Sequence, residues 1–216
     1  MAISLKNKTV LITAGPTWIK IDSVRIISNF TSGETVSLLA KKLKKLGAKV
    51  TLVLGPGQEK FTAKGVRVIR FRFFEELERI LKRELSSRKY ELAVHSAAVS
   101  DYRIGSKLPG KISSGIGKLS LKLVPTPKLV DLFKRLSQKT FLVAFKFEPD
   151  CPGSTLIKEA RALINNSRAR VVVANTCSER GYAAYLVTIN RVSKRFNSKV
   201  SLVNNLIKLI QLLRAD

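Results

Sequence analysis

Apolar residues follow two patterns along this chain, continuous runs typical of buried strands and the spacing of helices. The alternation between them predicts the order of its secondary-structure elements. The apolar run KTVLITA (8–14) predicts a strand that is buried on both faces. Apolar residues then recur at helical spacing over 36–46 and stop at Gly47, which predicts a helix, and AKVTLVLG (48–55) predicts a second strand. Strand, helix and strand in this order form the unit of a parallel sheet with a right-handed crossover.

The same alternation continues to the end of the chain. Residues 66–71 predict a third strand, 74–85 a helix, and YELAVHSAA (90–98) a fourth strand whose small terminal residues leave room for a ligand. Further strands and helices follow. The last part, 183–214, predicts a terminal hairpin, in which AAYLVTI pairs with the region around KVSLV, and then a closing amphipathic helix.

One segment departs from this alternation. Residues 103–123 are rich in Gly, Ser and Lys, which indicates an excursion from the sheet. We therefore predict a single α/β domain over 1–216. It has a Rossmann-like, mainly parallel sheet, helices on both faces and a small inserted β and loop excursion.

A second irregular segment joins the first strand to the first helix, from Gly15 to Gly33. Connections of this kind usually take ~2 to 6 residues, and long ordered loops are usually functional. The sequence therefore predicts a binding site in this loop.

Composition narrows the class of protein. The 216 residues, 45% of them hydrophobic, suffice for a full core. The start of the chain lacks the pattern of a signal peptide, and no apolar run approaches the ~18 residues of a membrane helix, so we expect a soluble, cytoplasmic protein without membrane contact. A single histidine, His95, argues against a zinc cluster, and we expect His95 and Cys151 to be structural because neither belongs to a nucleophile and base pair.

The formal net charge of +25, from 40 basic and 15 acidic residues, raises the question of nucleic acid binding. The basic residues are spread along the chain, however, and no nucleic-acid recognition motif is present. Two compatible explanations are a solvated basic surface and the steering of a polyanionic small substrate into a cleft. Nucleic acid is the less favoured partner.

The loop before the first helix offers candidates that also have purely structural explanations. The dinucleotide fingerprint G-x-G-x-x-G is absent after the first strand, where the sequence has AGPTW. The tripeptide TSG (31–33) directly precedes the helix, so it could hold a phosphate, or Ser32 or Thr31 could simply cap the helix.

Further candidates are charged or amide side chains. Asp22, Arg25 and Asn29 lie among apolar neighbours and need partners. Asp22 and Arg25 could form an ion pair that pins the loop, or they could belong to the site. Asp101 and Lys111 could be ligands or ordinary surface charges.

An ordered set of short motifs extends from about residue 8 to 190: ITAGPT, IDSVRIISN with TSG, HSAAVSDY, GKISSG, LVPTPKLV, AFKFEPD and VVVAN. This set resembles phosphopantothenoylcysteine synthetase, also called phosphopantothenate-cysteine ligase. The resemblance is to the stand-alone form, because the flavin-dependent decarboxylase domain fused ahead of many bacterial synthetases is missing. It implies that no flavin is bound and that a separate decarboxylase acts downstream.

The resemblance also implies an activity, the joining of 4'-phosphopantothenate to cysteine in coenzyme A biosynthesis. CTP or ATP, with Mg2+, would activate the carboxylate as an acyl nucleotide, and the cysteine amine would then displace the nucleotide. The family further implies a homodimer in which a loop is shared between subunits.

The same resemblance assigns roles to residues. Lys111 matches the catalytic lysine, and Asn29, also catalytic, holds the acyl intermediate together with Arg25. Ala97 and Ala98 belong to the substrate site, and the metal ligands stay unassigned. The residues implied for the nucleotide are Gly15, Thr17, Ser32, Gly33, Asp101, Lys111, Phe145 and Lys146.

One helix departs from the family pattern. Fused bacterial members carry lysines there that contact the nucleotide, whereas gapless pairing from VVVAN puts Leu163 and Ser167 at those positions. Lys158, Arg161 or Arg168 could substitute for them. The choice between CTP and ATP therefore stays open.

Two other functions compete with the ligase. A Rossmann-type reductase fits the sheet, but the glycine fingerprint and a Tyr-x-x-x-Lys site are both absent. A non-catalytic or altered-substrate relative that binds nucleotide or nucleic acid is favoured by the +25 charge and by the replaced lysines.

Overall fold

The fold is built around one central sheet. The computed structural model describes residues 3–31, 33–57, 61–105, 110–115, 117–179 and 181–213. The strands in these ranges are β1 (Thr9–Ala14), β2 (Trp18–Lys20), β3 (Ile26–Ser28), β4 (Lys49–Leu54), β5 (Arg67–Arg70), β6 (Leu92–His95), β7 (Tyr102–Ile104), β8 (Leu123–Pro125), β9 (Phe141–Phe147), β10 (Val171–Ser178) and β11 (Gly181–Val187). The helices are α1 (Glu34–Lys45), α2 (Phe74–Ser87), α3 (Val130–Leu136), α4 (Gly153–Ser167) and α5 (Lys199–Leu213).

Seven of these strands form the central sheet in the order β11-β10-β9-β6-β1-β4-β5. Within it, β1 is parallel to β4 on one side and to β6 on the other, and only the pair of β10 and β11 is antiparallel. The chain builds outwards from β1 to β5 and then returns to start the other half at β6. The order therefore reverses between β1 and β6, where ligands of such sheets bind beyond the carboxyl ends of the strands.

Helices cover both faces of the sheet, as predicted. Val10 and Ile12 of β1 pack in the core beneath α1 and α5, whereas Leu11 packs in the core beneath α2, α3 and α4. Because both faces are covered, the strand needs apolar side chains in both directions, which explains the continuous apolar run. The predicted α/β class and mainly parallel sheet are confirmed.

Two short hairpins stand beyond the carboxyl ends of the central strands. The long connection after β1 contains the first, in which Trp18 of β2 pairs with Ser28 of β3. The second, in which Tyr102 of β7 pairs with Pro125 of β8, closes the predicted excursion. Since β2 lies against β7, the two hairpins meet over the crevice.

The prediction of a strand around KVSLV is wrong. This segment begins α5, and β11 pairs instead with the preceding β10. The chain after β11 returns to that strand through a bridge between Ala184 and Phe196. A run of five residues fits both the strand and the helix period, and the burial that follows it decides for the helix. The buried residues of α5 are Leu202, Val203, Leu206, Ile207 and Ile210.

The two ends of the described chain lie side by side. The backbone N–H of Ile3 donates to the carbonyl of Gln211 (3.0 Å), and the Gln211 side-chain amide donates to the carbonyl of Ile3 (3.1 Å). This contact attaches the start of the chain to α5. In the described ranges, no helix combines the length and the apolar character needed to cross a membrane.

Candidate functional site

The carboxyl ends of β1 and β6 are joined directly by hydrogen bonds. Ala98 N–H donates to the carbonyl of Gly15 (3.0 Å), Thr17 N–H donates to the carbonyl of Ala98 (3.3 Å), and Ser100 N–H donates to the Thr17 hydroxyl (2.9 Å). Gly15 has a φ of 84°, and a Cβ atom there would lie 2.9 Å from the Cα of Gly55. The structure thus brings Gly15 and Thr17, assigned to the nucleotide, into contact with Ala98, assigned to the substrate.

A neutral polar pair forms the floor of this crevice. The Thr13 hydroxyl accepts the N–H groups of Ser96 (3.3 Å) and Ala97 (3.2 Å), so its own hydrogen is directed to Nδ1 of His95 at 2.8 Å. Burial lowers the pKa of His95 to about 4, which keeps the ring neutral near pH 7. His95 also packs against the Phe133 ring, which agrees with the structural role expected for it.

Asp22 connects the loop after β2 to the segment that carries Lys111. Its buried carboxylate accepts the N–H groups of Val24 (2.7 Å), Arg25 (2.6 Å) and, from across the site, Ile112 (3.1 Å). The Arg25 guanidinium donates to the same carboxylate at 2.5 Å and to the carbonyl of Ile112 at 3.3 Å. The ion pair that could pin the loop is therefore present, and it also pins the segment next to Lys111.

These contacts determine the charge of Asp22 and the position of Lys111. Burial would raise the pKa of Asp22, but the hydrogen bonds from Arg25, Val24 and Ile112 outweigh it and hold the pKa far below its usual range. The carbonyl of Gly110 accepts the N–H of Ser23 at 3.1 Å. Lys111 is thus anchored through its neighbours on both sides, while its own side chain is exposed.

Asn29 lies at the end of β3, beside the loop after β6. Its exposed side-chain amide donates to the carbonyls of Ala98 (3.3 Å) and Val99 (3.4 Å). The structure therefore brings Asn29 and Ala98, both predicted substrate residues, into direct contact.

Two predicted nucleotide residues outside these loops, Asp101 and Lys146, are held by ion pairs. Asp101 and Lys128, both largely exposed, are 2.6 Å apart. The ammonium of Lys146 lies 2.7 Å from Glu148 and 3.7 Å from Glu159. Burial would lower the pKa of Lys146, but these two carboxylates outweigh it and raise the pKa, so the side chain is charged. A phosphate at Lys146 would have to compete with them.

Gly33, rather than a hydroxyl residue, occupies the N-cap position of α1, with a φ of 63°. Its N–H donates to the Thr31 hydroxyl at 3.4 Å. The alternative in which Thr31 is the cap residue is therefore wrong, and Ser32, the other candidate, lies outside the described residues.

The two positions paired with the family lysines lie at the wrong end of α4 for a nucleotide contact. This helix leaves the carboxyl end of β9 and, after ~20 Å, ends near the start of β10. Leu163 packs against the core, and the buried Ser167 hydroxyl donates to the Leu163 carbonyl at 2.6 Å. Among the proposed substitutes, Lys158 is in the half of the helix nearer the crevice, whereas Arg168 follows its far end.

Two buried polar atoms were missed by sequence reasoning. Within the described part of the chain, Oδ1 of Asn175 and the hydroxyl of Tyr182 form no hydrogen bond of normal geometry, although the latter lies near the Thr35 hydroxyl. Burial raises the pKa of Tyr182 to about 12. Asn175 is in the carboxyl half of β10, and an unpartnered acceptor at that edge is suited to a ligand N–H or O–H group. The sequence signal for Asn175 was its place as the last residue of the VVVAN motif.

Comparison with known proteins gives the family. The family model of the DNA/pantothenate metabolism flavoprotein C-terminal domain matches residues 5–206. The chain belongs to this family. The match covers both hairpins and the whole central sheet, and it confirms the family resemblance predicted from the motifs.

Curated relatives are longer than this chain. The coenzyme A biosynthesis bifunctional protein CoaBC of Thermococcus kodakarensis is 38% identical over 179 residues, 82% of this chain and 43% of that protein. The protein of the same name from Methanocaldococcus jannaschii is 28% identical over 212 residues, 95% of this chain and 51% of that protein. The chain thus spans about half the length of the curated relatives that it matches.

Solved structures share the fold. The DNA/pantothenate metabolism flavoprotein from Streptococcus pneumoniae has a TM-score of 0.84 at 24% identity and covers 95% of this chain and 99% of its own. A Cab2 mutant in complex with phosphopantothenate-cysteine has a TM-score of 0.79 at 20% identity, with 97% and 86% covered. Both support the doubly wound architecture.

Proposed function

We propose that this chain is a phosphopantothenate-cysteine ligase of coenzyme A biosynthesis that uses CTP or ATP and forms an acyl nucleotide. The carrying observation is a pair of hydrogen-bonded links: Asp22 joins Arg25 to the Lys111 segment, and the Asn29 amide, four residues after Arg25, donates to the carbonyl of Ala98. Membership of the family and the names of its bifunctional relatives support this choice.

Lys111 acts in the first step. A carboxylate that attacks an α-phosphate brings two anions together, so a cation is needed to neutralise the nucleophile and the leaving pyrophosphate. The exposed side chain of Lys111 is free to reach them, while its backbone is anchored by Asp22 and Ser23.

Mg2+ supplies further positive charge to the phosphates when it is bound. The described residues contain no group of three or more His, Cys, Asp or Glu side chains suited to a metal. This fits an ion that arrives with the triphosphate, since Mg2+ is usually held by substrate phosphates and one or two carboxylates. Asp101, exposed directly before β7, would be such a carboxylate.

Asn29 acts in the second step. Its side-chain amide, now donating to backbone carbonyls at 3.3 and 3.4 Å, can donate instead to the acyl oxygen when the cysteine amine attacks. These long bonds cost little to exchange, and the new bond strengthens as charge develops on that oxygen. Arg25, whose guanidinium is held by Asp22, fixes the loop that carries Asn29.

The nucleotide lies over the carboxyl ends of β6, β9 and β10. Gly15, Thr17 and Gly33 would surround one side of it, and Ser32, outside the described residues, is assigned to the same nucleotide by the family resemblance alone. Phe145, half-buried at the end of β9, is suited to pack against the sugar or base. On the other side lie Asp101, Lys146 and Asn175, whose unpartnered oxygen would accept from a ribose hydroxyl or a base amino group.

An exposed apolar surface supports a homodimer. Val24, Ile26, Ile27 and Phe30 of the first hairpin region are 66%, 41%, 38% and 100% exposed, and Tyr102 of β7, the strand against which β2 lies, is 56% exposed. Exposed large apolar side chains concentrated in one region are typical of interfaces. We propose that a second copy covers this surface, so that a loop near the substrate is shared.

Phe30→Ser should shift the molecular mass measured by light scattering from dimer to monomer.

Reconstitution tests the ligase. Purified protein is mixed with 4'-phosphopantothenate, cysteine, Mg2+ and either CTP or ATP, and pyrophosphate release and product mass are followed. We expect amide product with at least one nucleotide, and the better nucleotide gives the base preference. Pyrophosphate without amide would retain the activation step but reject cysteine as the amine.

The same assay separates the second candidate, a non-catalytic relative. If neither pyrophosphate nor amide forms while an active family member works alongside, the ligase is rejected. Tight binding of nucleic acid that weakens steeply with salt would then favour the alternative suggested by the +25 charge.

A further inference from the structure

An open cavity of about 650 Å³ lies at the carboxyl ends of β4 and β5, beside α2. It is separate from the crevice between β1 and β6, and none of the residues assigned to the ligase lines it. Four arginines, Arg70, Arg72, Arg79 and Arg83, contribute to its wall; we name it the arginine cavity. We propose that the arginine cavity binds an organic molecule that carries more than one phosphate group.

The lining has an excess of positive charge. Glu76 is the one carboxylate among the described lining residues, and it already accepts the N–H groups of Arg72 (2.7 Å) and Phe73 (3.3 Å) at the start of α2. Arg83 forms only a long ion pair of 3.6 Å with Glu84, a carboxylate that pairs more closely with Arg67 at 2.6 Å. Guanidinium groups in one concavity repel one another, and an anion between them relieves that repulsion.

Arginine also defines the chemistry of the anion. Its planar fork of N–H donors matches phosphate in two parallel hydrogen bonds, which a lysine ammonium cannot provide. Several arginines on one cavity therefore fit a ligand with several phosphate oxygens better than a single carboxylate.

The rest of the wall is apolar and fits an organic group. Leu54, Ile69, Phe71 and Ile80 line it, and the indole of Trp18 stands at its side in edge-to-face contact with Phe73, with ring centroids 6.1 Å apart. Ligand pockets typically combine such apolar walls with a few polar groups that orient the ligand. A bare inorganic phosphate would leave this wall unused.

A glycine keeps the cavity open at its base. Gly55 follows β4, and a Cβ atom there would lie 2.6 Å from the carbonyl oxygen of Pro16 and 2.7 Å from the Phe71 ring. Only glycine lets these segments approach without displacing the ring. Because Trp18 N–H donates to the carbonyl of Arg72 (2.8 Å), β2 forms the partition between the cavity and the crevice.

Trp18 is the single tryptophan of the chain, so its fluorescence reports on the arginine cavity. The full chain is titrated with ADP and, separately, with inorganic pyrophosphate, which has the same two phosphates without the organic part. We expect a saturable change in emission with both and tighter binding of ADP. Equal affinities would overturn the assignment of the organic group.

Matched variants locate the response. Loss of a charged hydrogen-bonding partner weakens binding roughly tenfold or more, so Arg72→Gln with Arg79→Gln should weaken ADP binding about 100-fold. Arg191→Gln with Arg195→Gln removes the same two charges at the opposite edge of the sheet and should bind ADP like the wild type. Wild-type affinity in the double variant would overturn the proposal.

Two further measurements separate this site from the ligase. Lys111→Ala should keep the Trp18 response, and the arginine double variant should keep pyrophosphate release; loss of the response in Lys111→Ala would assign it to the crevice and overturn the proposal. The fluorescence result stands whether or not the chain proves to be a ligase. If a single-stranded DNA oligomer displaced ADP and bound more tightly than ADP, the ligand of the arginine cavity would be nucleic acid, and the small-molecule proposal would be overturned.

Discussion

Two carboxylates on the same edge of the sheet are held in opposite ways. Asp22 is buried and accepts hydrogen bonds from Val24, Arg25 and Ile112, whereas Asp101 is exposed and pairs with Lys128. A buried charge with full hydrogen bonding fixes the groups around it, while an exposed ion pair exchanges readily with water or ligand. We therefore expect the acyl half of the site to be built in advance and the nucleotide half to rearrange its ion pairs on binding.

Lys111→Ala should give the largest effect on activity. The backbone of Lys111 is anchored in the acyl half of the site, and its ammonium group is proposed to neutralise the phosphates. Loss of a cation from a phosphoryl-transfer site costs about 1,000-fold or more. Pyrophosphate release should fall by that factor, with no acyl nucleotide formed. Lys118→Ala, an exposed lysine in the same excursion, is the control and should be close to wild type. Normal pyrophosphate release in Lys111→Ala would remove this residue from the reaction.

Asn29→Ala should come next and affect the second step. One lost oxyanion donor costs about 100- to 1,000-fold in rate. Acyl nucleotide should therefore accumulate, as seen by mass spectrometry of quenched reactions, while amide formation slows. Ser28→Ala removes a neighbouring exposed side chain and should leave both steps unchanged. If the two steps slowed equally in Asn29→Ala, the assignment to amine attack would be rejected.

Asp22→Asn tests whether the acyl half of the site depends on the hydrogen bonds that the Asp22 carboxylate accepts. The amide cannot accept the full set of N–H groups and carries no charge for Arg25, so the segment with Lys111 should loosen. A displacement of ~1 Å at such a site costs about 100-fold in turnover. Hydrogen exchange at residues 110–112 should rise in parallel, which distinguishes loosening from global unfolding. Asp150→Asn, at an exposed aspartate, serves as control, and unchanged exchange in Asp22→Asn would contradict the anchoring role.

The buried neutral His95, which is hydrogen-bonded to Thr13 beneath the crevice, predicts that the free energy of unfolding depends on pH. His95 titrates near 6.5 when unfolded and near 4 when folded, so the unfolded chain alone takes up a proton as the pH falls below 6.5. The free energy of unfolding should thus drop by about 2 kcal/mol from pH 7 to pH 5. Asp22 adds nothing in this window, because its carboxyl titrates near 3.8 in the unfolded chain.

Urea unfolding at the two pH values measures the His95 effect. His95→Gln lowers stability at both values but should abolish the pH-dependent part. A slope that survives in His95→Gln would belong to another group.

Lys128→Ala should have the smallest effect and tests the exchangeable half. Exposed ion pairs contribute about 0 to 1 kcal/mol, so the urea midpoint should hardly move. Nucleotide affinity should stay within a few-fold of wild type. Asp101 loses its ion pair with Lys128, but its carboxylate no longer has to leave that pair in order to contact the ligand. A loss of stability comparable to that in Asp22→Asn would remove the distinction between the two halves.

Sequence reasoning worked where one local pattern carried the information. The central strands and the helices on both faces followed from β1, α1 and β4, whose apolar periods are long enough to be distinct. KVSLV failed because five residues fit either period. The β2–β3 hairpin was missed because strands of three residues have no period to detect.

The site was less accessible to sequence for a different reason. The pairing of Asp22 with Arg25 was foreseeable because they are three residues apart, but the bond from Ile112 spans 90 residues. The arginines of the cavity are likewise spread over β5, the connection that follows it and α2, so the sequence alone indicated solvated surface charges. Only the fold brings such groups together, and no local pattern records it.

The contact of Ile3 with Gln211 gives the chain a modular geometry. Ile3 and Gln211 both lie near the amino ends of the strands, and β1 spans about 20 Å between them and the crevice. A protein inserted beside Ile3 or Gln211 would therefore lie at the opposite edge of the sheet from the crevice. For the same reason, the two ends could be connected by a short linker and new ends opened elsewhere without crossing the crevice.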